Sequence, residues 1–323
     1  MKAIIYNKYG PSHVLKLMNI EKPIPKDDEV LVKIHASSVN PLDWHTMRGT
    51  PYLVRLQSGL SGPKNNRLGS DMAGQVEAVG KNVKGFQPGD EVFGGGNGTF
   101  AEYVCTSEKL LVKKPANVTF EQAAALPIAA FTALQGLRDH GRIKSGQKVL
   151  INGAAGGVGT FAVQIAKSMG AEVTGVCSTR NVEMVQSIGA DHVIDYTQED
   201  FTLSQKSYDL IFDTIGNHPL LKCRSVLSED GTLLMVGSQS NGKFLGPLAR
   251  SIRGLLMTRF ISQRFIMFIA MWKKEDLIVL QELIDSGKVT PVIDRCYSLN
   301  EVPEAIRYLE KGHARGKVVI SLK

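Results

Sequence analysis

The sequence predicts an α/β chain of two domains, one a doubly wound parallel sheet and the other a β-barrel-like domain. Three observations predict it. Residues 1–120 are rich in short alternating strands punctuated by Gly and Pro. From residue 121 strand and helix patterns alternate, which implies a parallel sheet with a ligand crevice at the carboxyl ends of its strands. The chain's 323 residues also exceed one average domain.

Met1-Lys2-Ala3-Ile4-Ile5-Tyr6 reads as an immediate strand, with no signal peptide expected. Alternation recurs at 29–36 and 74–80, and Gln87-Pro88-Gly89-Asp90 reads as a turn before a strand at 91–93. Residues 121–137 are Ala-rich and helical, and the parallel strands are placed at 149–152, 173–176, 192–195, 210–213 and 233–237. Helices at 161–169 and 181–188 stop at Gly170 and Gly189, the expected C-terminal caps. After a helix at 275–286, strand patterns at 289–293 and 316–320 return the chain to the first domain. The domains are therefore drawn as 1–122, 123–272 and the returning 273–323.

Cys105, Cys177, Cys223 and Cys296 are scattered, which argues against a disulfide framework or zinc lobe and suits a reducing, cytoplasmic compartment. No apolar run is long enough to span a bilayer. The formal charge of +7 reflects one stretch between Gly231 and Lys274, where Lys243, Arg250, Arg253, Arg259, Arg264, Lys273 and Lys274 meet no acidic residue. It reads as a solvated helix face beside a phosphate-bearing cofactor, with no nucleic-acid partner.

The strongest motif is Asn152-Gly153-Ala154-Ala155-Gly156-Gly157-Val158-Gly159, between a hydrophobic strand and an amphipathic helix. Glycine permits the tight turn and close backbone approach to a pyrophosphate, and the helix start offers unpaired N–H groups. Gly153, Ala155, Gly156, Gly157 and Val158 are thus candidate dinucleotide contacts. The second strand ends in Cys177-Ser178-Thr179-Arg180, without the carboxylate that would hold an NAD ribose. Ser178 and the Arg180 guanidinium suit a 2′-phosphate instead, so NADPH is expected over NADH.

With Ser38-Val39-Asn40-Pro41-Leu42-Asp43, Leu68-Gly69-Ser70-Asp71-Met72-Ala73-Gly74, Phe86-Gln87-Pro88-Gly89-Asp90-Glu91-Val92, the glycine turn and Gly312-His313-Ala314-Arg315-Gly316-Lys317, nearly the whole chain resembles one family. It is similar to the zinc-free quinone oxidoreductase branch of the medium-chain dehydrogenase/reductase superfamily. The resemblance implies a Rossmann domain plus a GroES-like β-barrel catalytic domain. Zinc-dependent relatives carry Cys in the first segment and Gly-His-Glu in the second, where this chain has Asn40 and Gly69-Ser70-Asp71, so no metal is expected. The resemblance further implies cofactor contacts at Asn40 and Thr132 near the nicotinamide and at Tyr196 on the 2′-phosphate. It adds Gly216, Gly237 and Ser238 at the strand ends, and His313, Ala314, Arg315 and Lys317 on the returning tail.

The implied reaction is hydride transfer from NADPH to a small-molecule quinone or enone, with Asn40 and Tyr52 as the catalytic candidates and the Tyr52 phenol as proton donor. Alternatives are a 2-alkenal or enoyl-thioester reductase and a non-catalytic NADPH-binding regulatory protein. Residues 244–272, apolar and basic, are read as core or dimer packing, with a substrate lid or peripheral membrane contact as further readings and no stable insertion. A homodimer is expected.

Overall fold

Alternating side chains and parallel βα repeats sort the chain into two compact units, Met1–Ala129 with Trp272–Lys323, and Ala130–Met271. The computed structural model describes residues 1–237, 248–258 and 261–322. In chain order the first unit contributes β1 (Lys2–Ile5), β2 (Lys16–Asn19), β3 (Glu29–Val39), α1 (Pro41–Arg48), α2 (Val54–Ser58), β4 (Asp71–Val79), β5 (Glu91–Gly95), β6 (Tyr103–Ser107), β7 (Leu111–Lys113) and α3 (Phe120–Ala124). Next come α4 (Pro127–Gln135), β8 (Lys148–Asn152), α5 (Gly157–Ser168), β9 (Glu172–Cys177), α6 (Val182–Ser187), β10 (His192–Asp195) and β11 (Tyr208–Asp213). They are followed by α7 (Leu220–Ser225), β12 (Leu227–Met235), α8 (Leu248–Met257) and β13 (Arg264–Met267). The chain returns through α9 (Lys274–Asp285), β14 (Ile293–Ser298), α10 (Val302–Glu310) and β15 (Lys317–Ser321).

In the first unit β3 organises the sheet. Its Val30, Val32 and Ile34 point into a core with Met72, Val76, Val92 and Val104, while Lys33 is exposed. The strand is long enough for β6 to pair with its first half and β15 with its last, both antiparallel, while β4 takes the other edge. Two registers matter for the site: Val318 lies opposite Val39, and Ser38 opposite Asp71. They bring residues 40, 71 and 317 together.

The second unit is a six-stranded sheet in the order β10-β9-β8-β11-β12-β13, with every pair parallel. The order reverses between β8 and β11, the switch point at which doubly wound sheets bind ligands. Val149, Leu150 and Ile151 of β8 are fully buried, and the residues from Gly159 to Ala166 on α5 are buried as well.

Several boundaries differ from the sequence reading. The helix expected over 121–137 is broken into α3, α4 and a π-turn at Gly136–Gly141. Pro127 explains the break, because the residue before a proline is pushed out of helical geometry and proline itself suits a helix start. The strand expected at 289–293 begins only at Ile293, after Pro291, which has no N–H to pair. The fifth parallel strand starts earlier, at Leu227, and stops at Met235. The compact units divide at 129/130 and 271/272, against the expected 122/123 and 272/273. Within 244–272, β13 is the sixth strand and Phe265 is buried in the sheet's core, whereas Ile252, Leu255 and Leu256 of α8 are exposed. Phe244, Leu245 and Phe260 lie outside the described residues.

Candidate active site

In the second unit the glycine turn follows β8 directly. Gly153 has φ 87°, and a Cβ there would stand 2.3 Å from Thr214 Oγ1. A Cβ on Gly159 would stand 2.1 Å from Gly153 O, so only glycine lets α5 start this close to the turn. At Gly156, the N-cap, the nearest atom to an added Cβ is Gly153 O at 3.4 Å. That face is therefore a cradle of bare backbone. The first-turn N–H groups of Gly157 and Val158 have no acceptor within the helix and carry its positive dipole end. The residues present fit a dinucleotide pyrophosphate.

The strands flanking the switch point end in a polar knot that sequence reasoning missed. Asn152 Nδ2 donates to Asp213 Oδ1 at 2.9 Å and to Asn217 Oδ1 at 3.0 Å. The same Asp213 oxygen accepts the N–H of Ile215 and of Gly216, and Arg250 Nη2 donates to Asp213 Oδ2 at 2.8 Å. Gly216 is thus held with φ 71°, and Gly237 donates its N–H to Asp213 O at 3.1 Å. Polar residues closing adjacent strands where the order reverses were the available signal. Ser238 lies outside the described residues. Thr132 is half-buried on α4.

Ser178, Arg180 and Tyr196 gather at the ends of β9 and β10. Asn181 Nδ2 donates to Ser178 Oγ at 3.1 Å, Arg180 is exposed, and the Tyr196 ring is exposed while its N–H donates to Cys177 O. The parallel register also sets Asp195 beside Cys177. Thr179 Oγ1 donates to Asp195 Oδ2 at 2.6 Å, and Thr197 donates its N–H and hydroxyl to Oδ1. The Thr179 hydroxyl, first among these bonds, holds this carboxyl below its ordinary range. The expectation of no carboxylate at the second strand's end holds along the chain but not in space.

In the first unit Asn40 caps α1 and is buried. Its Nδ2 donates to Asp71 Oδ2 at 2.8 Å, and its Oδ1 accepts Lys317 Nζ at 2.6 Å. Lys317 is itself 3% exposed and 3.6 Å from Asp71 Oδ2. Lys317, expected as a cofactor contact on the returning tail, has its ammonium directed at Asn40 and Asp71. Desolvation pulls its pKa below the ordinary lysine value, against the neighbouring Asp71 and Asp43. Asp43 accepts the N–H of Asn40 and of Gly69, and burial pushes its carboxyl up to about 7. Tyr52 is exposed on the loop before α2, with the Arg55 guanidinium 4.7 Å over its ring. On the returning tail, His313 and Arg315 are exposed, Arg315 N–H donates to Asp294 Oδ2, and Ala314 packs on the core. No group of three or more His, Cys, Asp or Glu that could hold a metal ion occurs among the described residues. No helix among them is long and apolar enough to cross a membrane.

Residues 26–116 match the family model of the alcohol dehydrogenase GroES-like domain, and residues 188–320 match that of zinc-binding dehydrogenases. The chain is 35% identical to the chloroplast envelope quinone oxidoreductase homolog of Arabidopsis thaliana, over 99% of this chain and 98% of that one. It is also 35% identical to a chloroplastic NADPH-dependent alkenal/one oxidoreductase of the same plant, over 99% of this chain and 79% of that one. The solved quinone oxidoreductase of Coxiella burnetii matches with a TM-score of 0.88 and 32% identity, over 100% of this chain and 99% of that one.

Proposed function

The chain belongs to the quinone oxidoreductase branch of the medium-chain dehydrogenase/reductase superfamily, and from that membership we propose that it transfers hydride from NADPH to a quinone or another conjugated carbonyl compound without zinc. It is an oxidoreductase with a nicotinamide cofactor. One observation carries the cofactor reading: the bare backbone cradle from Gly153 to Gly159 at the switch point of the sheet.

The bound nicotinamide supplies the hydride, and the protein's work is to bind, orient and exclude water. Backbone N–H groups of Gly157 and Val158 hold the pyrophosphate. Ser178, Arg180 and Tyr196 take the 2′-phosphate, with the Asp195 carboxylate opposing them; Arg315 and His313 are kept as cofactor contacts that the resemblance implies. Thr132, Gly216 and Gly237 border the cofactor, and Asn40 marks its nicotinamide end. Tyr52 Oη holds the proton for the developing enolate.

The donor set at Asn40 and Asp71 supports zinc independence, because it already holds a cation. Lys317 Nζ lies within hydrogen-bonding distance of Asn40, so a divalent ion bound there would meet a buried positive charge. The exposed Ile252, Leu255 and Leu256 on α8 support a homodimer, with peripheral membrane contact as the other use of that face. A cytoplasmic location completes the proposal.

Oxidation of NADPH and NADH is to be followed with a panel of quinones, alkenals and enoyl thioesters. Turnover of quinones or enones above the thioesters is the expected result. Preference for alkenals would favour the second reading, which rests on likeness to the alkenal/one oxidoreductase. No turnover with any acceptor would leave an NADPH-binding regulatory protein.

A further inference from the structure

We propose that Lys317 is a positioning residue of the reaction: its ammonium, donated to Asn40 Oδ1 at 2.6 Å and 3.6 Å from Asp71 Oδ2, holds the Asn40 amide and the first turn of α1 in one orientation. This rests on the proposed place of Asn40 at the nicotinamide end of the cofactor.

A lysine is almost never this buried without a partner that needs its charge. Its neighbours on β15, Val318, Val319 and Ile320, are fully buried and apolar, so packing alone would be served by an apolar residue at 317. The charge acts on the amide. Asn40 Oδ1 faces a donor and Nδ2 faces the Asp71 carboxylate, so a flipped amide would set its NH2 against the ammonium and its oxygen against the carboxylate. The network therefore permits one orientation of Asn40. Asp71 is anchored in turn: Ser38 Oγ donates to Oδ2 at 2.8 Å, and the Ile128 N–H at the start of α4 donates to Oδ1 at 3.0 Å. Asp43 completes the frame by accepting the Asn40 N–H at 2.7 Å and the Gly69 N–H at 3.2 Å. The charged or titratable groups around Asp43 are Tyr6 after β1, Asp71 on β4 and Lys317 on β15. At the far end of α1, Arg48 is paired with Glu310 of α10. One cation thus serves Asn40 and two buried carboxyls.

The test is a double-mutant cycle of Asn40→Ala and Lys317→Met, with Lys317→Met/Asp71→Asn as the variant that removes the Lys317–Asp71 pair together. Saturated turnover of Lys317→Met should fall about ten- to a hundredfold, with the acceptor KM little changed. Adding Asn40→Ala should cost nothing further, because Lys317 acts through Asn40. The charge-neutral variant should unfold at the wild-type urea midpoint yet keep the low turnover, a result that a merely structural role would not produce. Multiplying effects, or wild-type turnover in the charge-neutral variant, would overturn the proposal. The same cycle is read in the dissociation constant of NADPH, followed by its fluorescence. Absence of turnover in the wild type would therefore sink the proposed reaction while leaving Lys317 to be judged by whether its effect and that of Asn40 couple in binding.

Discussion

In the proposed NADPH site Arg180 is to attract the 2′-phosphate and Asp195, which the strand register sets beside Cys177, is to repel it. A charge-assisted bond from Arg180 to the 2′-phosphate is worth roughly 1.5–3 kcal/mol, so Arg180→Ala should weaken NADPH binding about ten- to a hundredfold and leave NADH nearly unchanged. Asp195 accepts from Thr179 at 2.6 Å, and its carboxylate would repel a phosphate bound there. Asp195→Asn should tighten NADPH several-fold with no gain for NADH, while Ser178→Asp should do the reverse. Titration of each variant with both cofactors checks this. Equal shifts for the two cofactors would mean that the phosphate binds elsewhere. Tyr52→Phe should lower turnover about ten- to a hundredfold while leaving NADPH affinity alone. Unchanged kinetics with both quinones and enones would make water the proton source. Arg180 was legible in the sequence because it lies in the short segment that follows the predicted strand 173–176. The place of Asp195 was not legible, since only the pairing of β10 with β9 sets it beside Cys177 at that strand's end.

Among elements, the turn between β8 and α5 bears the sharpest steric limit. Gly159→Ala would drive a methyl to 2.1 Å from Gly153 O, so α5 must move off the turn and the first-turn N–H groups lose their aim. Cofactor affinity should fall by at least about tenfold while β8 and its neighbours keep the sheet intact. Calorimetric titration beside circular dichroism separates the two effects, and retained affinity would remove the cradle from the argument. The strand-turn-helix was readable because its cause is local: a hydrophobic run, closely spaced glycines and an amphipathic helix. The helix expected over 121–137 failed for an equally local reason, Pro127, whose effect the alanine-rich composition concealed. The expected strand at 289–293 was displaced to Ile293–Ser298 because Pro291 has no N–H to pair, which the alternation alone concealed.

For the molecule as a whole, the buried charges make stability depend on pH in a stated direction. Burial raises the Asp43 carboxyl from 3.8 to about 7, so between those values the folded chain keeps a proton that the unfolded chain has released. Stability should therefore fall as pH rises through that window and level off above it. The carboxyls held low by their bonds, such as Asp191 and Asp200, act below the window, where stability is lost as pH falls. Urea midpoints across pH 4 to 8 should show a downward slope that Asp43→Asn reduces, and identical slopes in the two proteins would contradict it. Metal content is a second whole-molecule test. Purified protein should hold far less than one zinc per chain and keep its turnover in chelator, whereas stoichiometric zinc lost together with activity would refute the zinc-free reading.

What the sequence determined by itself was the fold class, the alternation of strand and helix after residue 121 and the glycine turn, because periodicity, turn chemistry and backbone sterics act over a few residues. The tertiary structure decided which charges meet. Lys317 and Asn40 are 277 positions apart, and nothing along the chain relates them. They touch because Val318 pairs with Val39 while Asp71 pairs with Ser38, two registers set by which faces of β3, β4 and β15 must be buried. Asn152 and Asp213 meet for the same kind of reason, on β8 and β11 at the point where the strand order reverses. Burial then does what no motif can announce: it removes the water from around these groups, so that each charge must be answered by another part of the fold.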